Sequence, residues 1–108
     1  MLTKSDLEKL AQVHLEDSVF LLLAGRSSSA YYLAGYAVEL ALKACISKLI
    51  QSNVIPERAL INATYTHRLD NLLSTAGLVP QLNADAKADP QFAAYWAIAS
   101  KWSEESHY

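Results

Sequence analysis

The chain has 108 residues, 52% of them hydrophobic, with only three glycines and three prolines. This length fits one small domain over residues 1–108, and the composition argues against a disordered or turn-rich chain. Nine basic and eleven acidic side chains give a net charge of −2, which argues against the basic surface that tight nonspecific nucleic-acid binding requires. We expect an all-α protein.

The predicted location in the cell follows from the lack of a signal peptide and of a membrane span in the sequence. The N-terminal residues MLTKSDLEKLAQ lack the uninterrupted apolar region of a signal peptide. The most apolar stretch of the chain carries Glu39 and Lys43 near its midpoint, which a membrane span would tolerate poorly. We therefore expect a soluble, cytoplasmic protein with no membrane partner.

The first predicted helix begins near Ser5 and ends at Gly25. Ser5 can cap it, and Asp6 and Glu8 lie near its positive end. Apolar residues then return at intervals of three and four. The polar residues lie largely on the other face, which predicts a helix packed on one side.

The second predicted helix begins after a short connection, is capped by Ser27 or Ser28, and runs to about Ser52. Asn53 and Pro56 stop it. About 25 residues give a helix roughly 37 Å long. The brevity of the connection predicts an antiparallel hairpin with this helix at the centre of the fold.

The remaining chain is predicted to cover the hairpin. Residues 56–63 can form a short helical turn, and Thr66 can cap a third helix that ends at Gly77. The segment NADAKADP is predicted to be a surface connection that could hold one helical turn. Asp89 and Pro90 signal the start of the last helix. The apolar stripe of that helix is Phe92, Tyr95, Trp96, Ala99 and Trp102.

One face of the second helix carries four residues at steps of four, three and four: Tyr32, Tyr36, Glu39 and Lys43. The acid precedes the base at the favourable spacing for an ion pair. In one interpretation this is a solvated or partner-facing stripe on a helix that is otherwise buried. In the other interpretation it lines a groove or a dimer interface.

These residues resemble the HEPN family, whose second helix commonly has alanines and aromatic residues, then glutamate, then lysine. Here the stretch reads AYYLAGYAVELALKA. The family often begins its third helix with a threonine and a histidine followed by leucines, and here Thr66 and His67 precede Leu69. Many members end in a serine, an arginine and a tyrosine. This chain ends in Ser106, His107 and Tyr108.

The resemblance implies an up-and-down bundle of four to five helices that pairs as a homodimer. Its functional surface would be a groove near helices two and four. Family members include ribonucleases, noncatalytic antitoxin-like proteins of toxin–antitoxin systems, and helical partners of minimal nucleotidyltransferases. RNA or a nucleotide stays open as a ligand.

The ribonuclease members of the family carry an arginine, then four to six other residues, then a histidine. The arginine can stabilise phosphate charge and the histidine can move a proton. No arginine of this chain stands at that distance before a histidine. Lys101 before His107 keeps the positive charge but not the forked geometry that suits a phosphate. An enzyme of this kind would bring Glu39, Lys101 and His107 together across the dimer.

The other candidate groups have structural interpretations. His14 and His67 are expected to serve the fold, His14 as a satisfied core residue and His67 by bonding near the helix start. Cys45 is expected to be a small buried hydrophobe. Arg26, beside the serines at the start of the second helix, could bind an anion or be an ordinary loop residue. The histidine spacing predicts no metal site, and no cofactor is implied.

The sequence therefore predicts a noncatalytic interaction module of HEPN type. Glu39 and Lys43 would order its groove, the tyrosines would supply contact area, and His107 would be the only proton carrier. The alternative is a divergent, metal-independent RNA endonuclease. The predicted groove residues are Tyr32, Tyr36, Glu39, Lys43, Lys101 and His107.

Overall fold

The structure, a computed structural model, describes residues 3–53, 56–64 and 66–102, apart from the side chains of residues 59, 60, 63, 64 and 95. Over these ranges the chain is all-α, as predicted, and contains no strand. Two long helices are followed by four short ones. The helices are α1 (Lys4–Leu23), α2 (Ser27–Gln51), α3 (Glu57–Thr64), α4 (Leu69–Thr75), α5 (Val79–Ala88) and α6 (Pro90–Ala99).

The first helix begins one residue after Thr3, which is its cap in place of the predicted Ser5. The Thr3 hydroxyl accepts a hydrogen bond from the Asp6 N–H at 3.1 Å, and the Asp6 carboxylate accepts one from the Thr3 N–H at 3.1 Å. This reciprocal pair is a capping box. The backbone bond from Thr3, followed by the Thr3 side chain, lowers the pKa of Asp6. Ser5 lies inside the first turn.

The second helix has the predicted length but not the predicted cap. Ser27 and Ser28 lie within its first turn, and the cap position belongs to Arg26, whose side chain makes no capping bond. The helix runs for 25 residues to Gln51. Just beyond its end, Asn53 has a φ of 59°, a left-handed conformation that asparagine tolerates better than most residues. A connection of three residues makes α1 and α2 an antiparallel hairpin, as predicted.

Glycine ends the first and fourth helices as predicted. Gly25 follows α1 with a φ of 79°, and Gly77 follows α4 with a φ of 73°. A left-handed residue at this position lets the chain leave the helix, and glycine pays no steric cost there. Thr66 does not cap α4: its hydroxyl accepts from the Arg68 N–H at 3.3 Å, and the cap position belongs to Arg68.

Most of the segment NADAKADP, which was predicted as a surface connection with at most one helical turn, lies in the ten-residue helix α5. Its alanines favour helix, and Pro80 stands in its first turn, where the missing N–H costs nothing. The predicted start of the last helix is confirmed. The Asp89 carboxylate accepts from the N–H groups of Gln91 at 3.0 Å and Phe92 at 3.3 Å.

The core lies on two sides of α2. Its larger part joins α2 to α4 and the turn after α6, and its members are Leu42, Ile46, Leu69, Leu72, Leu73, Ala76 and Trp102. A smaller part joins α2 to α1 through Leu7, Leu40 and Ala44. The second helix is therefore central, as predicted. Within the described ranges no helix is both long enough and apolar enough to cross a membrane.

Candidate functional site

A cluster of polar side chains lies inside the molecule around Glu39. This residue is 1% exposed, and Lys43 is 7% exposed. The Lys43 ammonium donates to one carboxylate oxygen, Oε2, at 3.1 Å. The other oxygen, Oε1, lies 2.8 Å from Nδ1 of His67. A buried carboxylate is costly unless its oxygens are paired, and here each oxygen has a partner.

Two features of the fold assemble this polar cluster. Glu39 and Lys43 are four residues apart on α2, so they share one face of that helix. The packing of α4 on α2 then brings His67, because Leu69 and Leu72, both fully buried, anchor α4 directly after it. The contact between α2 and His67 spans 28 residues.

The bond to Glu39 orients the ring of His67. When the neutral imidazole carries its proton on Nδ1, it donates that proton to the carboxylate, and Nε2 becomes the basic nitrogen. The His67 side chain is 31% exposed. A partly exposed imidazole held by a buried carboxylate is an arrangement that can accept a proton from a substrate.

Tyr36 connects the polar cluster to the aromatic side chains around it. Its ring centroid lies 5.6 Å from His14, 5.7 Å from Tyr32, 5.8 Å from Trp102 and 6.4 Å from His67. Both tyrosines of the predicted stripe are half-buried. The stripe therefore packs within the chain.

Trp102 closes the aromatic group against the start of α2. Its indole N–H donates to the Tyr32 carbonyl at 3.0 Å, and the residue is 2% exposed. A Cβ at Gly35 would clash with the indole ring, so glycine is needed there. Nearby, the Tyr31 hydroxyl donates to the Ile98 carbonyl at 3.2 Å, and burial raises the pKa of Tyr31.

His14 differs from the satisfied core histidine that the sequence predicts. Its residue is half-buried on α1, and its ring packs against Tyr36. Its Nδ1 atom, however, is buried and has no hydrogen-bond partner among the described residues. Packing against Tyr36, and not a hydrogen bond through Nδ1, accounts for its position.

The structure thus brings together four of the six predicted groove residues: Tyr32, Tyr36, Glu39 and Lys43. Lys101 is exposed in the turn after α6. His107 lies outside the described residues, as do Ser106 and Tyr108, so its predicted meeting with Glu39 and Lys101 stays a prediction.

The contact that sequence reasoning missed is the one between Glu39 and His67. Lys43 was expected to neutralise Glu39, and His67 was expected only to bond near its own helix start. Two features of the sequence signal this contact. His67 stands two residues before a leucine-rich helix, and Glu39 lies on a helix so apolar that burial is expected, so its carboxylate needs a partner.

A second concave feature lies between α1 and α2. It is a groove of about 530 Å³. Small side chains of α2 line it: Ala34, Ala37, Val38, Ala41, Ala44 and Cys45. Lys4, Glu8 and Lys48 lie at one end. Cys45 is exposed, which corrects the prediction that it is buried: α1 and α4 cover other sides of α2.

No three histidine, cysteine, aspartate or glutamate side chains gather into a possible metal site in the part of the chain that the structure describes. Arg26 is exposed in the connection between α1 and α2. A scan of protein-family models and searches of curated proteins and of solved structures found no match to this chain.

Proposed function

We propose that this chain is a noncatalytic, HEPN-like interaction module. One observation carries the proposal. Much of the apolar surface of α1 faces outward: Leu10, Val13, Leu15, Val19, Phe20, Leu22 and Leu23 are exposed. Single exposed apolar residues are ordinary, but a concentration of them on one helix is typical of a surface that binds protein.

The most exposed of these residues are aliphatic or aromatic side chains near the end of α1. Leu23 is 82% exposed and Phe20 is 75% exposed. The described aromatic side chains of α2 and α6 are at least half-buried, so the exposed apolar surface belongs mainly to α1.

The HEPN resemblance indicates which partners the module would bind. It favours a homodimer and, as a second partner, a minimal nucleotidyltransferase in the cytoplasm. An all-α bundle with a central second helix is compatible with that proposal. The groups around Glu39 are engaged with one another, which supports a structural role for the most polar part of the interior.

A metal-independent RNA endonuclease is the second candidate, and the bond between Glu39 and His67 favours it. In that reaction His67 would take the proton from a ribose 2′-hydroxyl as its oxygen attacks the adjacent phosphorus. The bond from phosphorus to the 5′-oxygen of the next nucleotide then breaks, which leaves a 2′,3′-cyclic phosphate, and the departing 5′-oxygen takes a proton from water. Lys101 would supply positive charge to the phosphate. His107 is the alternative proton carrier.

A ribonuclease assay separates the two functions. The protein and its His67→Ala and His107→Ala variants are incubated without metal against labelled single-stranded RNA and transfer RNA. We expect intact RNA with all three. Cleavage by the unmodified protein that either variant loses would overturn the noncatalytic function.

The partner is tested by coexpression with a nucleotidyltransferase encoded beside the gene. We expect the two proteins to copurify in a fixed ratio, and we expect Phe20→Glu to abolish this. The matched control is Ile98→Glu on α6, because Ile98 is also well exposed, at 61%. Equal copurification of both variants would show that the exposed apolar residues of α1 do not bind the nucleotidyltransferase.

A further inference from the structure

We propose that the groove side of the α1–α2 hairpin binds the same side of a second copy, so that the two hairpins form an antiparallel four-helix bundle. The inference rests on the proposed function in one respect, that the exposed apolar surface binds protein. It adds which surface of the proposed homodimer pairs, and in what orientation.

The spacing of the residues on this side, all exposed except the half-buried Ala34, is the first argument. On α2 the residues follow steps of four, three, four and three, and we name them the α2 seam: Ala34, Val38, Ala41, Cys45 and Lys48. On α1 the same steps give the α1 seam: Glu8, Gln12, Leu15, Val19 and Leu22. An average step of 3.5 keeps a stripe facing a neighbouring helix that crosses at about 20°.

The sizes of the side chains in the two seams are complementary. The α2 seam offers Ala34 and Val38 in its first half, where a neighbouring helix can approach closely. The α1 seam offers larger side chains in its second half, namely Leu15, 48% exposed, and Leu22, 60% exposed. Because the hairpin is antiparallel, these two halves lie at the same end of it.

A two-fold axis parallel to the helices produces two equivalent contacts between seams of complementary size. It sets the α1 seam of each copy against the α2 seam of the other, so large side chains meet small ones at the same level. Every neighbouring pair of helices in the resulting bundle is then antiparallel. The exposed apolar groups on both seams become buried, which is the main driving force for association.

The charges at the other end of the hairpin fit the same axis. Glu8 and Lys48 both line the charged end of the groove. A parallel two-fold axis places Lys48 of each copy beside Glu8 of the other. An axis perpendicular to the helices would set this end against the apolar end around Leu22. That arrangement desolvates the Lys48 ammonium and the ion pair between Glu8 and Lys4, which are 3.0 Å apart, and offers neither a partner from the other copy.

The size of the face is also adequate. A helix of 20 residues is about 30 Å long, and two helices side by side are about 20 Å wide. Such a face covers about 600 Å², which is the lower end of the range of about 600–1,000 Å² per partner that specific interfaces bury.

Sedimentation velocity tests the dimer. We expect the unmodified protein to sediment as a dimer at micromolar concentration. Val38→Glu puts a carboxylate into the apolar contact and should give a monomer with unchanged helical circular dichroism. Ile98→Glu, equally charged and on α6, should remain a dimer.

A charge reversal tests the orientation and covers the case in which Val38→Glu does not fold. Glu8→Lys or Lys48→Glu alone should weaken the dimer by about tenfold, as close charge pairs across interfaces do. The double variant should recover most of the affinity, since each copy then presents the reversed pair.

In sedimentation velocity, the proposal is overturned if the unmodified protein is a monomer, if the Val38→Glu variant is still a dimer, or if the Ile98→Glu variant dissociates. In the charge reversal, it is overturned if the double variant dimerises no more tightly than the single variants. Any of these results combined with intact RNA and a bound nucleotidyltransferase leaves the interaction module standing. RNA cleavage lost with a histidine variant removes the noncatalytic function whatever the oligomeric state.

Discussion

The side of α2 that carries Glu39 and Lys43 is buried, whereas the side that carries Val38, Ala41 and Cys45 is exposed. Judged by polarity alone, the charged side would be expected to be exposed and the apolar side to be buried. The difference is explained by what each side contacts. The charged side meets His67, α4 and Trp102 and has a partner for each carboxylate oxygen. Among the described residues, the apolar side borders the open groove between α1 and α2. Burial in this helix follows from the available partners.

The largest expected effect comes from removing the ion pair on the charged side of α2. Glu39→Gln removes the negative charge from a group that is 1% exposed and leaves the buried Lys43 ammonium without its counter-charge. Removing one partner of a buried ion pair costs about 3–5 kcal/mol. We expect a fall of that size in the free energy of unfolding, measured in urea.

The matched control is Arg68→Gln. Arg68 pairs with Asp70 at 3.0 Å, but their side chains are 71% and 49% exposed. Exposed pairs contribute about 0–1 kcal/mol. Similar losses in the two variants would mean that Glu39 is not buried as described.

The next effect compares two adjacent residues of α2, one buried and one exposed. Ile46 is fully buried between α2 and α4, and replacing it with alanine should cost about 2–5 kcal/mol. Cys45→Ala, one position earlier, should change the unfolding free energy by less than about 0.5 kcal/mol. Thermal and urea unfolding of the two variants measure the contrast. A large loss for Cys45→Ala at concentrations where the protein is monomeric would show that its side of the helix is covered within one chain.

The smallest expected effect concerns the close contact between α2 and Trp102. Alanine at Gly35 improves helix propensity by about 1 kcal/mol, but its Cβ would clash with the indole. Overpacking of this kind costs about 1–3 kcal/mol. We expect Gly35→Ala to be destabilising on balance, and we expect Gly35→Ala combined with Trp102→Leu to lose less than the two single changes added together. Stabilisation by Gly35→Ala alone would show that the indole does not lie against this position.

Elements with strong local signals were predicted well from the sequence. The hairpin, the length of α2, the glycines after α1 and α4, and the aspartate–proline start of α6 all depend on residues that act within a few positions. Capping was less predictable, because Thr3 with Asp6 and Ser5 with Glu8 both have the spacing of a capping box. The sequence does not show which hydroxyl meets the free N–H groups.

The candidate site was predictable only in its local part. The spacing of Glu39 and Lys43 predicted their ion pair, which the structure shows. The bond from His67 joins residues 28 positions apart, and no periodicity reports a contact of that kind. The exposure of Cys45 was missed for a related reason, since a helix that is apolar on most sides does not indicate which sides the rest of the chain will cover.

The bond between Trp102 and Tyr32 has a consequence for the order of events during protein synthesis. The contacts between α1 and α2 are close in sequence, and such contacts form early because little chain entropy is lost in closing them. The bond from Trp102 joins residues 70 positions apart. A nascent chain can therefore form its hairpin long before residue 102 leaves the ribosome. Until then the groups around Tyr36 and Gly35 remain in contact with water and with any chaperone that binds apolar surface.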